Sequence, residues 1–361
     1  MKRAILALWG CTAVFSHAAF SDTAKEEWET GMEQRLQELE QRVQEQESKP
    51  DKTRAAESGW QEGIEFAGLI EVEASRVSPD QGDSTSDLNV ATVELGLETR
   101  VNPWVAVEIL LLYEEETDND GDFNIDTALI ALADPNANWF LKAGRNTLPF
   151  GAYPTQMISD PLTLELGETN DTALEVGYAV EGFEFSLFLF QGDHNNKADD
   201  FGGQLGYQHE FADMALQFNL GYLDNLAESD AIVDGGWITT DRKMAAWVGS
   251  AQLEAGPLTL IGEYLDVRDG FADASNQAPS VYNVEGGFGF DLRGRPASVA
   301  LGYQASDEAD DANWGLPEKR IIGAFSVELF EQTQLGIEYR QDESYAGEKD
   351  DTLTAQLAVS F

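Results

Sequence analysis

From about residue 60 to residue 361 the chain alternates apolar and polar side chains with a period of two. That is the pattern of a strand with one face in an apolar medium and the other in water. In Ile64-Glu65-Phe66-Ala67-Gly68-Leu69-Ile70-Glu71-Val72-Glu73 one face carries Ile64, Phe66, Ile70 and Val72, the other Glu65, Glu71 and Glu73. The final stretch repeats it: Leu353, Ala355, Leu357, Val359 and Phe361 alternate with Thr354, Gln356, Ala358 and Ser360. Between these ends the pattern predicts strands near 88–101, 104–113, 123–133, 139–144, 173–180, 183–190, 201–209, 214–222, 244–253, 258–267, 282–292, 297–305, 320–329 and 334–340. The total is about sixteen, an even number of roughly ten-residue strands, as a bacterial transmembrane β-barrel uses.

The links support the same architecture. Short ones at 102–103, 134–138, 181–182, 212–213, 255–257, 293–296 and 331–333 take turns with longer, Asp-, Asn- and Gly-rich ones such as 76–87, 114–122, 225–243, 268–280 and 306–318. Outer-membrane barrels alternate short periplasmic turns with long external loops in this way. The ordering places both ends of the chain in the periplasm. A soluble β-sandwich or β-helix also alternates, but a terminal aromatic strand and strands of this length favour an all-β antiparallel transmembrane barrel over residues 59–361.

The segment before the barrel reads differently. Met1-Lys2-Arg3, the apolar run from Ala4 to Phe15 and Ser16-His17-Ala18 form a secretory signal peptide over 1–18. No segment approaches the roughly 20 apolar residues of a membrane-spanning helix. Residues 25–47 carry Met32, Leu36, Leu39 and Val43 at heptad spacing, a short periplasmic helix that could pair copies of the chain into a homotrimer. A polar linker, 48–58, joins it to the barrel.

Charge and residue inventory then narrow the function. There are 66 acidic residues against 22 basic ones, which removes nucleic acid as a partner and suits a lumen that favours cations. The single cysteine, Cys11, leaves with the signal, so the mature chain holds no disulfide or thiolate site. His194 and His209 lie in no catalytic arrangement, so neither an enzyme nor a cofactor is expected. Asp118, Asp120 and Asp122 imitate the start of a calcium loop, but Thr127 stands where its bidentate Glu belongs, leaving a solvated acidic loop as the plainer reading.

Alternation turns Glu65, Glu71, Glu73, Glu94, Glu98, Glu108, Glu263, Glu285, Glu328 and Glu338 inward with fewer bases, Arg100, Lys142 and Arg340. Lipid-facing charge would cost a few kcal/mol at the bilayer midplane, so these groups belong in the lumen. Opposed acidic and basic walls would then set up a transverse field. The link 145–171 stands apart in mixing apolar and acidic residues. It is the third external loop, and it is expected to fold inward and narrow the pore through Arg145, Pro149, Phe150, Gly151, Tyr153, Gln156, Asp160, Glu165 and Glu168.

Several stretches resemble the LbtU-type siderophore porin family: Gly68-Leu69-Ile70-Glu71-Val72-Glu73-Ala74, Thr92-Val93-Glu94-Leu95-Gly96-Leu97-Glu98, Leu111-Leu112-Tyr113-Glu114-Glu115, Pro149-Phe150-Gly151 and Met157 through Thr169. The match is dense from about 68 to 192 and looser beyond. The resemblance implies an outer-membrane barrel with a periplasmic coiled coil that passes a ferric siderophore without a plug-bearing, energised receptor. It implies no enzyme activity and no covalent cofactor. The reading is therefore an outer-membrane porin for passive or facilitated diffusion of a siderophore-type iron chelate. The alternatives are a general cation-preferring porin and a barrel whose helix tethers the envelope.

Overall fold

The computed structural model describes residues 63–115, 123–134, 136–192, 197–235, 242–271, 275–310 and 314–361. The signal peptide, the heptad segment with Met32, Leu36, Leu39 and Val43, the linker, and Asp118, Asp120 and Asp122 lie outside the described residues.

Sixteen antiparallel strands close into one barrel. In chain order they are β1 (Ile64–Pro79), β2 (Thr85–Asn102), β3 (Val105–Tyr113), β4 (Asn124–Ala133), β5 (Trp139–Thr147), β6 (Asn170–Val180), β7 (Phe183–Phe190), β8 (Asp200–Phe211), β9 (Met214–Leu223), β10 (Ala246–Ala255), β11 (Leu258–Val267), β12 (Ser280–Asp291), β13 (Pro296–Asp307), β14 (Lys319–Phe330), β15 (Thr333–Glu343) and β16 (Lys349–Ser360). Each pairs with its sequence neighbours, and β16 returns to β1 in a ladder from Leu69 opposite Ser360 to Pro79 opposite Asp350. Reciprocal backbone bonds between Gly68 and Phe361, 2.9 and 3.0 Å, finish the seam. Closure leaves no strand edge unpaired, the condition a sheet must meet in hydrocarbon.

The side-chain alternation sorts into two surfaces. Along β7, Phe183, Phe185, Leu187 and Leu189 are exposed outside while Ser186, Phe188 and Phe190 are buried inside. Outward Leu187 and Leu301 are 68% and 73% exposed, and comparable side chains continue around the whole circumference. An apolar surface this continuous far exceeds the patches of a few hundred Å² that soluble monomers carry, and it fits a lipid boundary. Trp104, Trp139, Phe183, Phe211, Phe330 and Phe361 form an exposed aromatic belt near the short-turn end.

Short and long links alternate with two departures. The external links 80–84 and 344–348 are no longer than the opposite link 134–138. The cause is extra pairing: β1 and β2 stay zipped up to Val77 opposite Thr85, and β15 and β16 up to Glu343 opposite Lys349. The two hairpin tips also bond to each other, with the Asp80 N–H donating to the Lys349 carbonyl at 2.8 Å.

Below, L3 is the link 148–169, which contains α1 (Leu162–Gly167). L5 is the link 224–245, with a 3-10 turn (Leu226–Glu228) and α2 (Asp230–Gly235). The buried core lies inside the barrel. Leu148, Phe150, Tyr153, Leu162 and Leu166 of L3 pack with Leu226, Ala227 and Ile232 of L5 and with the inward Phe188, Phe190, Val248 and Leu265.

Candidate functional site

L3 leaves β5, enters the barrel and lies along the inner wall of β9 to β15. Two inward glycines make the bed. A Cβ on Gly221 of β9 would stand 1.6 Å from the Phe150 carbonyl oxygen, and one on Gly287 of β12 would stand 1.9 Å from the Gln156 side chain. At Gly221, where the neighbour is backbone, no larger residue permits the approach.

The wall also supplies acceptors for the loop's backbone. Glu263 of β11 accepts from the Tyr153 N–H (3.1 Å) and the Thr163 hydroxyl (2.6 Å). Glu285 of β12 accepts from the Gln156 N–H (2.7 Å) and the Thr155 hydroxyl (2.8 Å). Glu338 of β15 accepts from the Ile158 N–H (2.6 Å) and from the hydroxyl (2.5 Å) and N–H of Ser159. Gln304 of β13 accepts from the Leu162 N–H at 3.0 Å, and Arg320 of β14 reaches the Asp160 carbonyl at 3.2 Å and Glu165 at 2.7 Å. An irregular loop inside a barrel carries backbone donors that must be satisfied, and charged acceptors do this more strongly than neutral ones.

L5 closes the remainder of that side. The Asp230 N–H donates to the Glu168 carbonyl at 2.9 Å and the Asn170 N–H to the Asp230 carboxylate at 3.0 Å, joining α2 to the end of L3. Lys243 secures the base of L5 by bridging Asp200 (3.0 Å) and Asp224 (2.8 Å).

The open lumen is what remains between L3 and the inner wall of β1 to β4. Asp160, at the loop's turn into α1, feels the charge of Glu73, and Glu71 of β1 feels Asp160 in turn. Glu168 feels Asp230, Asp160, Asp126 and Glu114. Enclosure by the barrel, reinforced by Glu165, pushes the Asp160 carboxyl up to about 6, with Arg320 pulling the other way. Burial, then Asp230, pushes Glu168 up to about 7. Burial also brings Asp230 to about 6, against the opposing bond from Asn170. The buried Tyr153 phenol is raised by desolvation and by Glu263.

The residues expected at the constriction divide into distinct roles. Phe150 and Tyr153 are buried in the core, Gly151 and Gly167 flank the Tyr153 ring, and Pro149 and Gln156 are half-buried along the wall. Glu165 is tied to Arg320, while Asp160 and Glu168 face the lumen. Arg145 is exposed on β5 in register with Ala128 and Thr172, both exposed, and its charge acts on Asp230 of L5.

Of the acids expected in the lumen, Glu71, Glu73, Glu94, Glu98 and Glu108 sit on inward positions of β1, β2 and β3, with Arg100 exposed near the short-turn end. Glu263, Glu285 and Glu338 are instead covered by L3, so they are anchors and not channel lining. Two of the three bases expected to oppose the acidic wall, Lys142 and Arg340, are paired with carboxylates. Lys142 is held by Glu175 at 3.2 Å, Arg320 by Glu165 and Asp342, and Arg340 by Asp342 at 3.1 Å, which leaves acidic groups facing one another across the gap. Glu175, Glu184, Arg320 and Asp342 were missed, although the same alternation turns them inward.

A closed sixteen-strand antiparallel barrel with its third loop lodged inside defines a porin-type fold. Solved structures agree: the chain superposes on the outer-membrane channel DcaP of Acinetobacter baumannii (TM-score 0.57, 15% identity, 82% of this chain and 97% of that one). It also superposes on Pseudomonas putida OprB (TM-score 0.60, 9% identity, 83% and 95%) and on an anion-selective porin from Comamonas acidovorans (TM-score 0.59, 14% identity, 82% and 99%). In sequence the chain is similar to a UPF0422 protein of Coxiella burnetii, 25% identical over 338 residues, covering 82% of this chain and 72% of the relative. A UPF0422 protein of Legionella pneumophila is 25% identical over 353 residues, and the match spans 66% of its length. No protein-family model matches.

Proposed function

We propose that the protein is a passive outer-membrane diffusion channel, a conduit and not an enzyme, whose constriction admits small cations in preference to anions. The observation that carries this reading is the one-sided charge of the gap. Asp160 on the loop side faces Glu71 and Glu73 on the wall side and Glu168 feels Asp126 and Glu114, while Lys142, Arg320 and Arg340 are each engaged by a carboxylate. Rings of carboxylate in a narrow pore raise the local concentration of cations and exclude anions.

The family resemblance adds a ferric siderophore as substrate. The lumen's charge supports that only for a chelate with net positive charge; an anionic chelate meets repulsion at every wall. The heptad seam at Met32, Leu36, Leu39 and Val43 supports assembly as a homotrimer with the helix in the periplasm.

The test is a planar-bilayer recording of the refolded protein under a tenfold potassium chloride gradient. A reversal potential of cationic sign is expected, together with no block by a micromolar anionic ferric siderophore. An anionic sign, or no current, overturns the proposal.

A further inference from the structure

Two leucines of β3 stand on the wall of what should be a wetted channel. On β3 the inward positions are Ala106, Glu108, Leu110 and Leu112, as the pairing of Glu108 with Glu98 and of Leu112 with Glu94 on β2 establishes. Leu110 lies opposite Gly96, within 3.7 Å of where a Cβ there would be, so no side chain on β2 covers it. Both leucines are half-buried, keeping part of their surface open, and neither belongs to the buried cluster that L3 and L5 build on the opposite side. An aliphatic surface open to a water-filled passage offers a favourable contact to an apolar group that passes over it.

The neighbours fix the charge of that occupant. Glu94, Glu98 and Glu108 surround the two leucines in the register, with Asp126 also acting on Glu94 and Glu108. Lys142 is the base that acts on Glu108, and it is bonded to Glu175. The surface is therefore an aliphatic strip bordered by carboxylates. It complements a molecule with one or more ammonium groups and a short hydrocarbon body.

Resting on the cation-selective reading above, we propose that Leu110 and Leu112 are specificity-determining residues. They make the channel prefer organic amines with an apolar body over hydrophilic cations of similar size. The ammonium group is held at Glu94 or Glu108 while the alkyl portion slides along the two leucines.

The experiment is a bi-ionic reversal-potential measurement on the full-length refolded channel, comparing n-butylammonium with 3-hydroxypropylammonium against sodium. Wild type is expected to pass n-butylammonium with a permeability about two- to fourfold higher, the scale set by transferring roughly one methylene out of water. Leu110→Thr with Leu112→Thr should bring the ratio to near one while the sodium-over-chloride preference is unchanged. Equal permeability of the two amines in wild type overturns the proposal even if the double variant fails to insert. So does a preference that survives in the variant. Anion selectivity in the same recording would overturn the channel's proposed function as well, and so is distinguishable from failure of the leucine strip alone.

Discussion

Single carboxylates carry the architecture and, in the proposed channel, the selectivity, and their surroundings decide which. Glu338 accepts three donors from Ile158 and Ser159, so Glu338→Ala leaves buried N–H groups without partners. A cost of about 1–3 kcal/mol in loop docking follows, seen as larger and noisier single-channel conductance. In the proposed channel Asp160 and Glu168 act on the solute instead. With folded pKa values of about 6 and about 7, both above ordinary carboxylates, they discharge as pH falls from 8 to 5. The cation-over-anion permeability ratio should fall over that range, and Asp160→Asn with Glu168→Gln should flatten the profile. The same shifts fix a stability sign. The folded state binds protons more tightly than the unfolded chain, so the L3–L5 joint loosens as pH rises from about 4 through about 7. Proteolysis within L5 should accordingly be faster at pH 8 than at pH 5.

At the level of elements, L3 is held by shape as much as by charge. Phe150 is 1% exposed at the centre of the intraluminal core, and its backbone occupies the space that Gly221 leaves. Phe150→Ala should destabilise the docked loop by about 3–5 kcal/mol, and Gly221→Val should prevent docking outright. Both are checked as a rise in conductance from a barrel that still inserts. The strands were legible because a period-two pattern has no other reading over so many segments, and L3 was legible because Phe150, Leu162 and Leu166 are out of place in a solvated loop. L5 was not, since its short helix and Asp-rich composition resemble an ordinary external loop. The anchoring role of Glu263, Glu285 and Glu338 was hidden too: an inward glutamate looks the same in sequence whether water or a distant N–H satisfies it. Arg320 was overlooked although it shares the inward set with Ile322 and Ala324.

The whole molecule is asymmetric about its axis: β6 to β15 are filled inside by L3 and L5, whereas β1 to β4 face the passage. The net charge of −44 adds to the acidic wall, so the proposed cation selectivity is electrostatic in range. The Debye length falls from about 10 Å at 0.1 M salt to about 3 Å at 1 M. The cation preference should shrink over that interval, as reversal potentials at both salt levels would register, whereas a preference set by pore diameter would not change.

The loop that narrows the passage belongs to the first half of the chain, and its acceptors belong to the second. Bonds from Tyr153 to Glu263 and from Ile158 to Glu338 span 110 and 180 residues. Contacts so distant in sequence form late, after the intervening strands have been placed. L3 can settle only on a wall that already exists, so its docking follows the placement of β11 to β15. The constriction thus doubles as a signature of completed assembly: only a chain whose later strands are in place can hold its third loop.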